Sequence, residues 1–189
     1  MSYYLEGFWK AGWAIAIHTE KSIPLPDGGF DTTYTPIGKQ LNKLKYHSDY
    51  SQLEPLAQTV ISFLKTRLVT PYLSAIIPTP SSATRTVQPV LEIAKRVSQG
   101  LNIPIDNKYL LKTRNTSQLK NIVDQVERQK ILQGAFDIVD MRYQNKKVLL
   151  FDDLFRSGST LNEISKLLYR KGKVQDVYVV TLTKTRVKR

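Results

Sequence analysis

Cysteine is absent from all 189 residues. That absence excludes disulfides, thiolate zinc sites and a cysteine nucleophile, and it makes the reducing cytoplasm the expected compartment. No apolar run approaches the ~18 residues that a membrane-spanning helix needs, so no membrane partner is expected. Met1 to Lys10 lacks the basic start and long apolar core of a signal peptide. A nucleoside-triphosphate-binding P-loop is missing as well. The two Gly-Lys pairs, Gly38-Lys39 and Gly172-Lys173, are followed by Gln40 and Val174, and neither has a glycine five residues earlier. Histidine occurs twice. His18-Thr19-Glu20 imitates the His-x-Glu of zinc deaminases, but the Pro-Cys-x-x-Cys that completes their site is not there. Acidic residues are also few, 16 against 28 Lys and Arg, which leaves a net charge of +12. Such an excess favours polyanionic partners, either a highly phosphorylated small molecule or nucleic acid.

What is present is a globular composition, 41% hydrophobic with ten Tyr and six Phe, and one informative run. Val148-Leu149-Leu150-Phe151 is continuously apolar, as suits a strand of a parallel sheet covered on both faces. Asp152 and Asp153 follow where that strand emerges. Arg156-Ser157-Gly158-Ser159-Thr160 comes next, and a helical pattern starts at Leu161 and continues through Ile164, Leu167 and Leu168. A small, hydroxyl-rich turn at a helix N-terminus offers unpaired backbone N–H groups, hydroxyls and the positive end of the helix dipole, which together cradle phosphate. The adjacent carboxylates cannot bind phosphate but can accept hydrogen bonds from the vicinal hydroxyls of a sugar. Both features side by side imply a phosphorylated pentose. A Walker B strand also ends in Asp-Asp, but the missing P-loop removes that alternative.

The segment resembles the phosphoribosyl-diphosphate (PRPP) motif of the type I phosphoribosyltransferases. Phe155 and Arg156 depart from it, standing where a smaller aliphatic and a small hydroxyl residue are usual. Elsewhere the Pro-x-Pro loop Pro78-Thr79-Pro80, Arg85 and Gln88, Arg114 and Gln118, Arg128, Ala135-Phe136 and the upstream Leu44-Lys45-Tyr46 resemble the ComF competence-protein branch of that superfamily, over about residues 38–183. ComF relatives commonly begin with a four-cysteine zinc ribbon, which a chain without cysteine does not have. A glutamine-dependent amidotransferase is excluded because its glutaminase half needs a cysteine nucleophile.

Alternating strand and helix patterns predict an α/β fold: a mainly parallel sheet flanked by helices over residues 36–189, with a small β-containing N-terminal hood over residues 1–35. Tyr3 to His18 reads as two strands, and residues 22–35, with Pro24, Pro26, Gly28 and Gly29, as a loop. Helices are expected after Thr35-Pro36, over residues 50–67 and over 86–99 with Gly100 as the stop. Strands are expected at 74–78, 103–105, 135–139 and 174–182, with a long polar loop at 112–120 and a weak helix at 123–132.

Ligands in such sheets sit beyond the carboxyl ends of the strands, which gathers the loops at 78–85, 112–120 and 152–160. The expected roles follow. Asp152 and Asp153 hold the ribose hydroxyls and stabilise positive charge developing on the sugar. Residues 156–160 anchor the 5-phosphate. Thr79, Pro80, Ser81, Ser82 and Arg85 line the pyrophosphate, and Arg114 neutralises it as it leaves. Arg114, Gln118 and Arg128 belong to a loop that closes over the site. Mg²⁺ is the expected cofactor, held by pyrophosphate oxygens and water with no protein ligand assigned. The resemblance therefore implies transfer of phosphoribosyl from PRPP to an unidentified acceptor, with pyrophosphate released. The alternative is a non-catalytic PRPP-binding module in DNA uptake or related regulation. Lys184, Arg186, Lys188 and Arg189 supply a cationic cluster for nucleic acid, or simply a solvated tail. Self-association is left open.

Overall fold

The computed structural model describes residues 2–81, 87–114 and 124–186, the side chains of residues 125, 128 and 129 excepted. In chain order the elements are β1 (Tyr3–Tyr4), β2 (Ala11–Ile17), β3 (Thr19–Pro24), β4 (Phe30–Tyr34), α1 (Pro36–Tyr46), α2 (Leu53–Lys65), β5 (Leu73–Pro78), α3 (Pro89–Leu101), β6 (Leu110–Lys112), α4 (Gln125–Leu132), β7 (Phe136–Ile138), β8 (Lys147–Phe155), α5 (Ser159–Arg170) and β9 (Asp176–Lys184). Five strands form the main sheet in the order β1-β2-β9-β8-β5, with β1 antiparallel and the rest parallel. No helix of the described residues is long and apolar enough to cross a membrane.

Strand β8, an inner strand between β9 and β5, explains the architecture. Along β8, Val148 and Leu150 join a core shared with Leu161, Ile164 and Leu168 of α5, while Leu149 and Phe151 join one shared with Leu41 and Leu44 of α1 and with α2 and α3. Side chains alternate across a strand. A run apolar at every position is therefore a strand covered on both faces, and β9 repeats the pattern with Val177 and Val179 against Tyr178 and Val180.

Helix α1 is fixed at its start. Thr35 caps it by accepting from the Gly38 N–H at 3.1 Å, and its hydroxyl donates to the Ile17 carbonyl at 2.6 Å. Gly38 is buried in the first turn, where a Cβ would overlap the His18 carbonyl oxygen. This close approach seats α1 on the end of β2.

Three expectations are corrected. Residues 22–35 are not a loop: β3 and β4 pair as an antiparallel hairpin, with the turn at residues 25–29. Ile23, Thr32, Thr33 and Tyr34 favour strand, and Pro24 is tolerated because a two-stranded ribbon has only edges. Gly100 lies inside α3 and does not stop it. A Cβ there would collide with Ile61 of α2, so the glycine serves helix packing, and left-handed Asn102 (φ 54°) ends the helix. Residues 103–105 make a single parallel bridge, Ile76 to Ile105, because Pro104 has no N–H to extend a ladder. Of residues 1–35, β1 and β2 belong to the main sheet and the β3–β4 hairpin forms a sheet of its own.

Gly38→Ala should cost about 2 kcal/mol, the scale of overpacking, and lower the melting temperature by roughly 4–8 °C for a chain of this size. A calorimetric scan checks it, and an unchanged melting temperature would contradict the seating of α1.

Candidate functional site

Strand β8 does not stop where its apolar run ends. Asp152 pairs in register with Thr181 of β9, and the ladder continues to Phe155 and Lys184. On the other side β5 ends at Pro78, opposite Phe151, and only the Thr79 N–H continues, donating to the Phe151 carbonyl at 2.9 Å. The two carboxylates thus leave the sheet on one edge while their backbone remains held on the other. That combination fixes them more firmly than a loop would.

The pair is split across the sheet. Asp153 continues the series Leu149, Phe151 toward α1, and its Oδ2 meets the Lys45 ammonium at 2.7 Å, with both side chains largely buried. Asp152 continues the series Val148, Leu150 toward the face that carries α5. Its Oδ1 accepts from the Asp153 N–H at 2.8 Å, and the Thr79 side chain also hydrogen-bonds it. Burial and the neighbouring Asp153 carboxylate push Asp152 up to about 7, against the opposing pull of these hydrogen bonds and of Lys45. Burial works against the Lys45 ammonium, but the Asp153 carboxylate outweighs it and holds Lys45 above its ordinary value. Breaking a buried ion pair by removing one partner strands the other charge, a loss of about 3–5 kcal/mol.

His18 stands next to this group. Its Nδ1 lies 3.1 Å from the Thr183 hydroxyl, which donates to the Asp153 carbonyl at 3.3 Å. Burial and then the Lys45 charge lower the His18 imidazole, so it is neutral at pH 7.

The loop between β8 and α5 has the expected cradle shape. Gly158 sits at the helix start with φ 74°, no side chain caps α5, and the Ser157 and Ser159 hydroxyls lie 2.9 Å apart. A Cβ on Gly158 would meet the Phe155 ring at 2.8 Å, so glycine is required both for the left-handed backbone and for room. Phe155 is the larger residue that departed from the resemblance. It supports the loop from beneath and packs edge-on to Trp9 at 6.3 Å. Phe8 ties the N-terminal segment to the same helix, its N–H donating to Asn162 Oδ1 at 2.6 Å. Arg156, Ser157, Ser159 and Thr160 are exposed or partly exposed at this turn.

Of the pyrophosphate candidates, Thr79 is buried beside Asp152, Pro80 is partly buried and Ser81 is exposed. The Lys112 ammonium reaches the Ser81 carbonyl at 3.5 Å, and burial lowers its pKa. Arg114 lies at the exposed end of the loop after β6, its guanidinium against Gly134, and makes no ion pair among the described residues. Ser82, Arg85, Gln118 and the side chain of Arg128 lie outside the described residues, as do Lys188 and Arg189. In the C-terminal cluster, the Lys184 ammonium stands over the Tyr3 ring and Arg186 donates to the Glu20 carbonyl, so both make contacts within the chain.

Residue-level reading missed three groups here: Lys45, His18 and Lys112. Lys45 had a signal, since Leu44-Lys45-Tyr46 was one of the stretches that carried the resemblance. Lys112 had one too, as the first residue of the 112–120 loop gathered at the site, whereas His18 had none, because its approach is set by tertiary packing.

No family model matches the chain. Competence protein F of Haemophilus influenzae is 33% identical over 89 residues, covering 46% of this chain and 38% of that protein. The match thus spans well under half of the curated relative. Among solved structures, the glutamine PRPP amidotransferase of B. subtilis, complexed with ADP and GMP, aligns at TM-score 0.51 and 14% identity, over 85% of this chain and 35% of its own. The adenine phosphoribosyltransferase of Leishmania tarentolae aligns at 0.47 and 11%, over 82% and 78%.

The fold is that of the type I phosphoribosyltransferases.

The sequence likeness to competence protein F bears out the ComF-like resemblance within that fold. On this phosphoribosyltransferase frame, the acid pair and the Gly158 turn occupy the carboxyl end of β8, an inner strand, where open α/β sheets bind ligands.

A carboxyl raised toward neutrality binds more protons folded than unfolded between about pH 4 and 7, so stability falls as pH rises through that window. Asp152→Asn should therefore melt at the same temperature as the wild type near pH 4 and at a higher one at pH 8. Equal melting temperatures at both pH values would contradict the raised pKa.

Proposed function

We propose that the protein binds PRPP and transfers its phosphoribosyl group to an acceptor, releasing pyrophosphate. The observation that carries this reading is the adjacency of a strand-end acid pair to a glycine-turned, hydroxyl-lined helix N-terminus. The donor set at the turn matches a phosphate, and the carboxylates beside it match sugar hydroxyls.

In this reading the bond from ribose C1 to the pyrophosphate oxygen breaks, and its electron pair departs with pyrophosphate. A bond from the acceptor nucleophile to C1 forms, and the acceptor gives up a proton. Positive charge grows on the sugar meanwhile, and the chain's task is positioning and electrostatics. Asp152 accepts from the ribose hydroxyls and stabilises that charge, with Asp153 behind it. Ser157, Ser159, Thr160 and the first N–H groups of α5 hold the 5-phosphate, with Arg156 beside them. Thr79 to Ser81 bear on the pyrophosphate, where Ser82, Arg85 and Arg114 remain proposed contacts. Lys112, tied to the Ser81 carbonyl, adds a cation to that side.

The donors fit a Mg²⁺ carried on the substrate. Among the described residues no three His, Asp or Glu converge, while an ion of this kind takes one or two carboxylates together with phosphate oxygens and water. Asp152 is the carboxylate placed to contribute, and the bound ion would offset the leaving group's charge. The cysteine-free composition fits action in the cytoplasm.

Calorimetry with PRPP and Mg²⁺ tests the reading. The wild type should bind, and the Asp152→Asn/Asp153→Asn double variant should lose at least about tenfold in affinity, the scale of one charge-assisted hydrogen bond. Gly158→Ala should weaken binding similarly through the 5-phosphate. Equal affinities, or no binding by the wild type, would end it.

A further inference from the structure

Two adjacent acids in an extended strand point to opposite faces of the sheet, because successive side chains alternate. The cores on either side of β8 show this alternation up to Phe151. The ion pair shows that it continues, since Asp153 meets Lys45 on the α1 side. Asp152 is left on the side from which α5 and its phosphate-shaped turn begin. Thr79, next along β5 from the residue paired with Phe151, hydrogen-bonds Asp152 there.

The Lys45–Asp153 contact has the marks of a built device and not a surface pair. Side-chain exposure is 19% for Lys45 and 10% for Asp153. Helix α1 is seated by Gly38 and Thr35 so that Lys45 falls on the strand end. Lys45, His18 and Asp152 are the titratable groups that bear on Asp153, and His18 is held neutral by burial and by Lys45.

We propose that Lys45 divides the labour of the acid pair: it locks Asp153 as an internal counter-ion on the α1 side and leaves Asp152 as the acid that meets the sugar. Lys45 and Asp153 are then positioning residues, and Asp152 alone touches substrate. The assignment rests on the PRPP-binding reading above.

The test compares Asp152→Asn, Lys45→Arg and the double variant Lys45→Met/Asp153→Asn. The double variant removes both buried charges and so strands neither. Asp152→Asn should weaken PRPP at least about tenfold. The double variant should stay within about threefold of the wild type, as should Lys45→Arg. A loss in the double variant as large as in Asp152→Asn would overturn the division, because Asp153 would then be gripping the sugar. A ligand-free measurement separates this from failure of the functional reading. The NMR signal of the Lys45 ammonium, shielded by its partner, should persist in Asp152→Asn and disappear in Asp153→Asn. Absence of PRPP binding by the wild type would overturn the functional reading and the role of Asp152 together. Persistence of the ammonium signal in Asp153→Asn would overturn the Lys45 lock whatever PRPP does.

Discussion

The ion pair between Lys45 and Asp153 ties the first helix of the chain to the end of the inner strand β8. That tie fixes which face of β8 each acid of the pair takes. With both groups largely buried, each charge is tolerable only in the other's presence. Helix α1 is held in place at two points: its N-terminus by Thr35 and the space only a glycine leaves at position 38, and its last turn by Lys45. The acid pair is consequently held by contacts within the chain itself.

The alternation of β8 gives the site its asymmetry. The residues that build two cores on opposite faces of one strand also send two neighbouring carboxylates to opposite faces. One of them pairs with a cation, and the other meets burial, a like charge, the Asp153 N–H and a threonine. A single sequence feature, the adjacent Asp pair, therefore yields two different environments. The Gly158 turn lies on the side of the unpaired acid, where Phe155 and Trp9 brace it from below.

Much of this was legible beforehand, and the pattern of failure is physical. The unbroken apolar run at Val148–Phe151 announced a doubly covered strand because only such a strand needs no polar face. The capped start of α1 was readable from Thr35-Pro36, and the Gly158 turn from its spacing to the acids. The hairpin at β3–β4 was misread because prolines and glycines at its turn outweighed the β-branched residues on its strands. Gly100 was misread because a glycine near the end of a helical pattern looks like a stop, and its real purpose lies on a second helix. Lys45 could be quoted from the sequence but not assigned, since an ion pair over more than a hundred residues of chain leaves no periodicity. His18 was silent for the same reason.

The central claim is that a phosphorylated pentose lies across the end of β8, its phosphate in the Gly158 turn. The most direct measurement is an NMR titration of ¹⁵N-labelled protein with ribose 5-phosphate. The account predicts that the amides of Ser157 to Leu161 and of Asp152 to Asp153 move together along one binding curve. Shifts confined to the outer surface of α1, around the exposed Lys39 and Lys43, with the β8–α5 turn unmoved, would contradict it.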